Sequence, residues 1–406
     1  MKLPPALRHR DFRVLLVGSV LTRIGEYIKL VVLNWLVWEL TGSAFYLGVI
    51  GFCEFGPRLL FGLLGGVLVD RVDRRRLMIS TQIVTTAQSV IFTILVLTGT
   101  AQFWHIVTLV LIIAVANSFF TTANQAIICS LVPQEAVVSA LAMNSAGHNL
   151  TKIIGPSIGG ILITLIGSGS SLIICVFTSI AMLVCLAIVH GPTFTPPLMV
   201  GSLLDEVAEG YRYVRHHRRI RTTILVTYFN AFAGTAYIQL LPVFAGRILE
   251  VGSSGYGFLM AAPGIGALAG SLLIASIARL ERKRRILLGS SWIYAGSLFL
   301  FAMSRSMIVS LLLLTVVGCM QMTFRVIARA VIQEDTPPHL LGRAMSIFLL
   351  DRGFTSLGAI FLGSMATLLG ASPAVALGAL ICGVSTWVIP RTNADSNEKK
   401  NGPSLS

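Results

Sequence analysis

The chain has 406 residues, of which 55% are apolar and 12% charged, with 31 Lys and Arg against 17 Asp and Glu for a formal net charge of +14. Soluble domains carry roughly a quarter charged residues, so an ordinary soluble enzyme, a disordered chain and a disulfide-stapled secreted module are excluded. The apolar residues fall in runs of about 20, the length at which a helix crosses a bilayer.

In chain order the pattern predicts twelve spans, over 12–39, 44–69, 77–98, 104–128, 140–166, 171–190, 221–247, 255–278, 286–303, 307–330, 343–369 and 373–389. The first is too long for a signal-peptide core and has no small-residue cleavage site behind it, so it reads as a retained span. Basic residues crowd the N-terminus, the 71–76 and 212–221 stretches, 279–285, Arg343 and the tail, whereas the opposite connections hold only Arg247 and Arg305. Positive loops stay inside, so both termini are expected to be cytoplasmic. The basicity is thus topological, and with no aromatic-interleaved basic module no nucleic-acid partner is expected. Six cysteines and seven histidines are scattered. They form no CxxC or Cys/His cluster, so neither a metal site nor a disulfide framework is expected.

The two halves repeat each other. Gly51-Phe52 with Pro57 returns as Gly257-Phe258 with Pro263, and Ala126-Ile127-Ile128 with Pro133 returns as Ala330-Val331-Ile332 with Pro337. An even number of spans per half gives both halves one orientation, a parallel duplication about an axis along the membrane normal. The expected organisation is an all-α membrane protein of two six-helix bundles, 1–190 and 221–390. A cytoplasmic connector, 191–220, holds an amphipathic surface helix, and 391–406 forms a disordered tail. Two such bundles enclosing a midplane crevice favour a carrier that works by alternating access.

Charges inside spans cost roughly 2.5–3.5 kcal/mol each on insertion scales and so mark a wet cavity or a partner. Glu26 lies mid-span with Arg23 and Lys29 about 60° to either side, and Glu54 and Arg58 share a helical face at i,i+4. Lys152 sits deep in the fifth span; Asp351 and Arg352 lie in the eleventh, pointing about 100° apart. Arg325 and Arg329 near the inner end of the tenth span read as snorkelling, and Glu39 at the outer rim as solvated. Glu26 and Glu54 are the candidates to couple protons to substrate movement. The whole set is modestly positive, which favours an anionic or polar amphiphile over a cationic dye.

Gly66-Val-Leu-Val-Asp70-Arg71-Val-Asp73-Arg74-Arg75-Arg76, between spans two and three, resembles the signature loop of the major facilitator superfamily, G-x-x-x-D-R-x-G-R-R, departing from it at Asp73. The resemblance implies a twelve-helix transporter fold in which Gly66, Asp70, Arg71 and Arg74 form a cytoplasmic gate. Gly155-Pro156-Ser-Ile-Gly159-Gly160 is similar to that superfamily's antiporter motif, associated with export. Together with Leu7–Arg13 and Asn34–Ser43, these stretches resemble the branch of siderophore exporters and macrolide efflux proteins.

The expectation is a secondary transporter of the bacterial inner membrane. It would be a proton-coupled exporter of a siderophore-like or drug-like molecule, with no cofactor and no enzymatic activity. Import by the same fold, or a non-transporting receptor or scaffold, are the alternatives. An enzyme lacks its constellation: there is no HExxH, no Ser/His/Asp set and no phosphate loop.

Overall fold

The computed structural model describes residues 4–189, 211–276 and 283–398, apart from the side chains of 58–71, 276, 339 and 390–398. All regular structure among the described residues is helical. After a 3-10 turn at Pro5–Arg8, the N-terminal half runs α1 (Arg10–Thr41), α2 (Ala44–Arg71), α3 (Arg74–Leu97) and α4 (Phe103–Ser130), then α5 and α6 within the stretch Val137–Ile188. The C-terminal half runs α7 (Arg218–Ile248), α8 (Gly252–Ser276), α9 (Lys283–Met303) and α10 (Met307–Asp335). It ends with α11, in two pieces (Pro338–Phe348 and Asp351–Leu369), and α12 (Ala371–Glu398).

Nine stretches are long and apolar enough to cross a membrane among the described residues, one of them 55 residues long and bent at Gly167. The bend separates α5 from α6. With α1 and α2 the spans are the expected twelve. α1 has the length, 32 residues, but carries Arg23, Glu26 and Lys29 through its middle. The last helix continues to Glu398, into the stretch expected to be disordered. The connector expected over 191–220, with its amphipathic helix, lies outside the described residues up to 210; helix is present over 211–216 and from Arg218 onward.

The duplication is visible in backbone and core alike. Gly167, between α5 and α6, has φ 82 and ψ 166; Gly370, between α11 and α12, has φ 94 and ψ 160. That region of conformational space is essentially closed to residues with a Cβ, so both hairpins need glycine. In one core, Phe12 of α1, Met78 of α3, Ile127 and Ile128 of α4 and Met182 of α6 are buried together. In the other, Ile220 of α7, Leu287 of α9, Phe324, Val331 and Ile332 of α10 and Phe348 of α11 are buried together. The repeated triplets at 126–128 and 330–332 therefore mark equivalent core positions.

The chain separates into two compact units, Met1–Leu198 with Leu241–Gly264, and Met199–Leu240 with Ile265–Ser406. Within the first unit, the 241–264 stretch of α7 and α8 packs with the N-terminal helices. We refer to these as the N-terminal and C-terminal units.

Candidate functional site

In the N-terminal unit the three mid-span charges of α1 part company. Lys29 is 7% exposed and donates from Nζ to Gln88 Oε1 at 2.9 Å and to Ser89 Oγ at 3.0 Å on α3. Glu26 is its electrostatic neighbour, but no ion pair closes between them in the described structure. Arg23 and Glu26 stay half-buried. The α3 partners belong to a polar stripe at helical spacing, Thr81, Thr85, Gln88 and Ser89, all buried. Their hydroxyls are tied back to carbonyls one turn earlier (Thr85 to Thr81, Ser89 to Thr85), which fixes the cradle that receives Lys29. The spacing of this stripe is written in the sequence, yet a reading centred on charges passes over it.

Glu54 on α2 is half-buried and lies within electrostatic reach of the fully buried Tyr256 phenol, which sits beside the Asn34 amide. Tyr256 stacks on Trp35 at 5.9 Å between ring centroids. Trp35 in turn donates from Nε1 to Glu39 at 2.6 Å, so Glu39, expected to be merely solvated, orients an aromatic anchor. Lys152 of α5 is half-buried.

Of the gate set, Gly66, Asp70 and Arg71 lie outside the described side chains, as does Arg58 of the coupling set, and Arg74 is half-buried at the start of α3. Asp73, which stands where the superfamily signature has glycine, is the N-cap of α3. Its carboxylate accepts from the Arg75 and Arg76 amides at 2.8 and 3.2 Å, the satisfaction that helix starts require. Arg75, absent from the predicted set, donates to the Leu186 and Ala187 carbonyls at 3.1 and 2.9 Å and so caps the end of α6.

The Gly-Pro stretch of α5 is a packing surface turned to two neighbours. A Cβ at Gly155 would lie 2.5 Å from Tyr27 Cβ, and one at Gly159 would lie 3.1 Å from Ile28 Cα, both on α1. At Gly160 it would lie 2.6 Å from the Ser253 carbonyl and 2.8 Å from Gly257 Cα on α8. Pro156 is inside the helix, and its carbonyl oxygen is 2.5 Å from where a Cβ of Gly257 would be. Thr164 and Ser253 hydroxyls close the same seam at 2.9 Å. Small residues are what allow backbones this close together in lipid.

The C-terminal unit holds a small cavity of about 20 Å³ among α7, α9, α10 and α11. Asn230, Thr235, Ser291, Tyr294, Gln321, Arg325 and Asp351 line it. Asp351 is 2% exposed and is ion-paired with Arg325 of α10. Arg325 is thus a partner of the buried carboxylate and not the snorkelling residue that its position suggested. Arg352, the next residue, is exposed, in keeping with the divergence expected around the helix. Asn230 donates to Ser291 Oγ at 3.0 Å, and Ser291 shares a 2.7 Å hydrogen bond with Thr386. Gln321 donates to Thr235 at 2.9 Å.

At this cavity α7 leaves α geometry, with a π segment at Asn230–Gly234 followed by 3-10 turns at Thr235–Leu240. π-bulges concentrate at functional sites because they redirect side chains within a helix. The bulge is held by close backbone contact: a Cβ at Gly358 of α11 would fall 1.7 Å from the Phe232 carbonyl oxygen. Nothing in the sequence announced this bulge. The polar residues Asn230, Ser291 and Gln321 were readable one by one, but not as a set.

The sequence matches the transmembrane secretion effector family over residues 3–404. It is similar to the staphyloferrin A transporter of Staphylococcus aureus, 25% identical over 368 residues, covering 87% of this chain and 89% of that one. It is also similar to macrolide efflux protein A of Streptococcus pyogenes, 22% identical over 345 residues, covering 83% and 84%. A crystal structure of the nucleoside transporter NupG superposes with a TM-score of 0.76 over 94% of this chain and 99% of that one, at 13% identity, a likeness of fold. The chain belongs to the transmembrane secretion effector family of the major facilitator superfamily and is a multi-pass, twelve-helix membrane transporter.

Proposed function

We propose that the protein is a proton-coupled exporter that works by alternating access in the bacterial inner membrane, with both termini cytoplasmic. Its cargo is a siderophore-like or drug-like small molecule, anionic or polar and amphiphilic, and it has no catalytic activity of its own. The observation that carries this reading is the expenditure of charge inside spans. Lys29, Glu26, Glu54 and Asp351 are all drawn into or partly into the protein interior, at an insertion cost that packing alone gives no reason to bear. Similarity to a staphyloferrin A transporter and a macrolide efflux protein supports export and the cargo class. The Gly155-Pro156 stretch and the Asp70 loop support antiport and cytoplasmic gating. In this reading Arg23, Arg58, Lys152 and Arg352 set the positive potential that holds an anionic cargo.

The test is uptake of radiolabelled staphyloferrin A and of a radiolabelled macrolide into inverted membrane vesicles. We expect respiration-driven accumulation of at least one probe, collapsed by a protonophore and lost in Glu26→Gln or Glu54→Gln. Accumulation in right-side-out vesicles alone would reverse the direction, and protonophore-insensitive movement would remove the coupling.

A further inference from the structure

The small cavity beside the π segment of α7 is kept from collapsing by backbone contacts on the other side of the helix. A Cβ at Gly358 of α11 would fall 1.7 Å from the Phe232 carbonyl oxygen, and one at Gly378 of α12 would fall 2.5 Å from the Ala233 carbonyl oxygen. The segment Asn230–Gly234 is therefore seated on two neighbours. Its first residue reaches α9, where Asn230 Nδ2 donates to Ser291 Oγ at 3.0 Å.

Hydrogen-bond accounting around the cavity leaves two groups over. Asn230 is 9% exposed, and its Oδ1 is buried with no hydrogen-bond partner among the described residues. Tyr294 is 2% exposed, and its hydroxyl likewise closes no hydrogen bond among them. The other polar groups lining the cavity are engaged. Thr235 accepts from Gln321 at 2.9 Å and donates to the Asn230 carbonyl at 3.4 Å. Thr227 spends its hydrogen on the Thr223 carbonyl at 2.8 Å, so its oxygen can only accept. Arg325 and Asp351 are closed on each other.

Size and charge decide what fits. The cavity measures about 20 Å³, whereas a water needs about 10–15 Å³ and roughly two to four polar partners. One water fits, and an amphiphilic cargo does not. A cation would lie against the Arg325 guanidinium, and an anion against Asn230 Oδ1 and the Asp351 carboxylate, so the occupant is neutral. It has to give a hydrogen to Asn230 Oδ1 and take one from the Tyr294 hydroxyl. Water does both and keeps a second hydrogen for Thr227.

We propose that this cavity is the site of one buried water, bonded to Asn230 Oδ1 and the Tyr294 hydroxyl, that pins the π segment of α7 to α9. The site goes beyond the transport reading, since the water is a resident part of the C-terminal unit and not cargo. Asn230 and Tyr294 are its positioning residues. By satisfying two groups that burial strips of solvent, the water lets an irregular stretch of helix persist at membrane depth.

Radiolytic hydroxyl-radical footprinting of the full-length protein in nanodiscs, read by mass spectrometry, tests this, because a radical formed from a held water oxidises the side chain beside it without access from bulk solvent. Tyr237, 1% exposed and outside the cavity lining, is the internal control. Tyr294 should be oxidised severalfold faster than Tyr237. Asn230→Leu should bring Tyr294 down to the Tyr237 rate and leave Tyr237 unchanged. Thr227→Val, which keeps the shape and removes one acceptor, should lower the Tyr294 rate in part, and it carries the test if Asn230→Leu does not fold. Equal rates for the two tyrosines in the wild type overturn the site, as does a fast Tyr294 rate that survives both variants. A Tyr294 rate that changes when sodium is exchanged for choline would place a cation there and overturn it too.

Discussion

The two units share a core and divide over charge. Ile127 and Ile128 in one, and Val331 and Ile332 in the other, fill matching places, and Gly167 and Gly370 make the same left-handed turn. Yet the N-terminal unit gives its buried cation, Lys29, two neutral partners and leaves Glu26 and Glu54 half-buried, whereas the C-terminal unit closes Asp351 on Arg325. Their helix ends diverge as well. Arg75 caps α6 by donating to carbonyls, while α10 ends on Glu334 and Asp335, which pair with Lys283 of α9 and with Arg219 of α7 at 3.0 Å. Duplication thus fixed what apolar packing needs and left the polar groups free to specialise.

The contrast can be broken most sharply at the C-terminal pair. Arg325→Ala strands a buried carboxylate, a loss of about 3 kcal/mol at the lower end of the range for such pairs, since the guanidinium is half-exposed. It should appear as a fall in detergent Tm, most of which the double variant Arg325→Gln/Asp351→Asn recovers; a purely additive double variant would show no coupling. At the N-terminal seam, Gly160→Val sets a branched side chain against the Ser253 carbonyl and Gly257, at about 1–3 kcal/mol of overpacking. Tm should fall, whereas Gly289→Val, where a Cβ meets nothing within 4 Å, should change it little.

Lys29 sharpens the comparison from the other side. Its two hydrogen bonds offset its own desolvation, so Lys29→Met should alter stability by no more than about 1 kcal/mol while vesicle uptake is lost. A large drop in Tm with uptake preserved would make the lysine a structural strut. The smallest effect belongs to Asp73. Asp73→Ala removes the α3 cap at about 1 kcal/mol, and Asp73→Gly, the superfamily residue, only a few tenths, with transport retained in both.

How much of this was legible in advance depended on whether the signal was local. The twelve spans, the duplication and the superfamily could be read from runs of apolar residues, a nearly constant offset and the Asp70 loop, because hydropathy and repeat are properties of neighbouring residues. Asp351 and Lys29 stood out because a charge in an apolar run is conspicuous. Their partners did not. Arg325 looked like an interfacial arginine, and Gln88, Ser89 and Asn230 were ordinary polar residues until the fold set them against a charge.

The sequence by itself determined that the chain crosses the membrane repeatedly as paired helical halves, since lipid leaves backbone polar groups no partner outside a helix or a closed barrel. Only the tertiary structure decided which charges meet: Lys29 turns to α3, Asp351 to α10, and α7 bulges at the cavity it shares with α9, α10 and α11. Pairing across helices depends on rotation and register between segments distant in sequence, and those are set by close packing at positions such as Gly160 and Gly358, not by any local pattern.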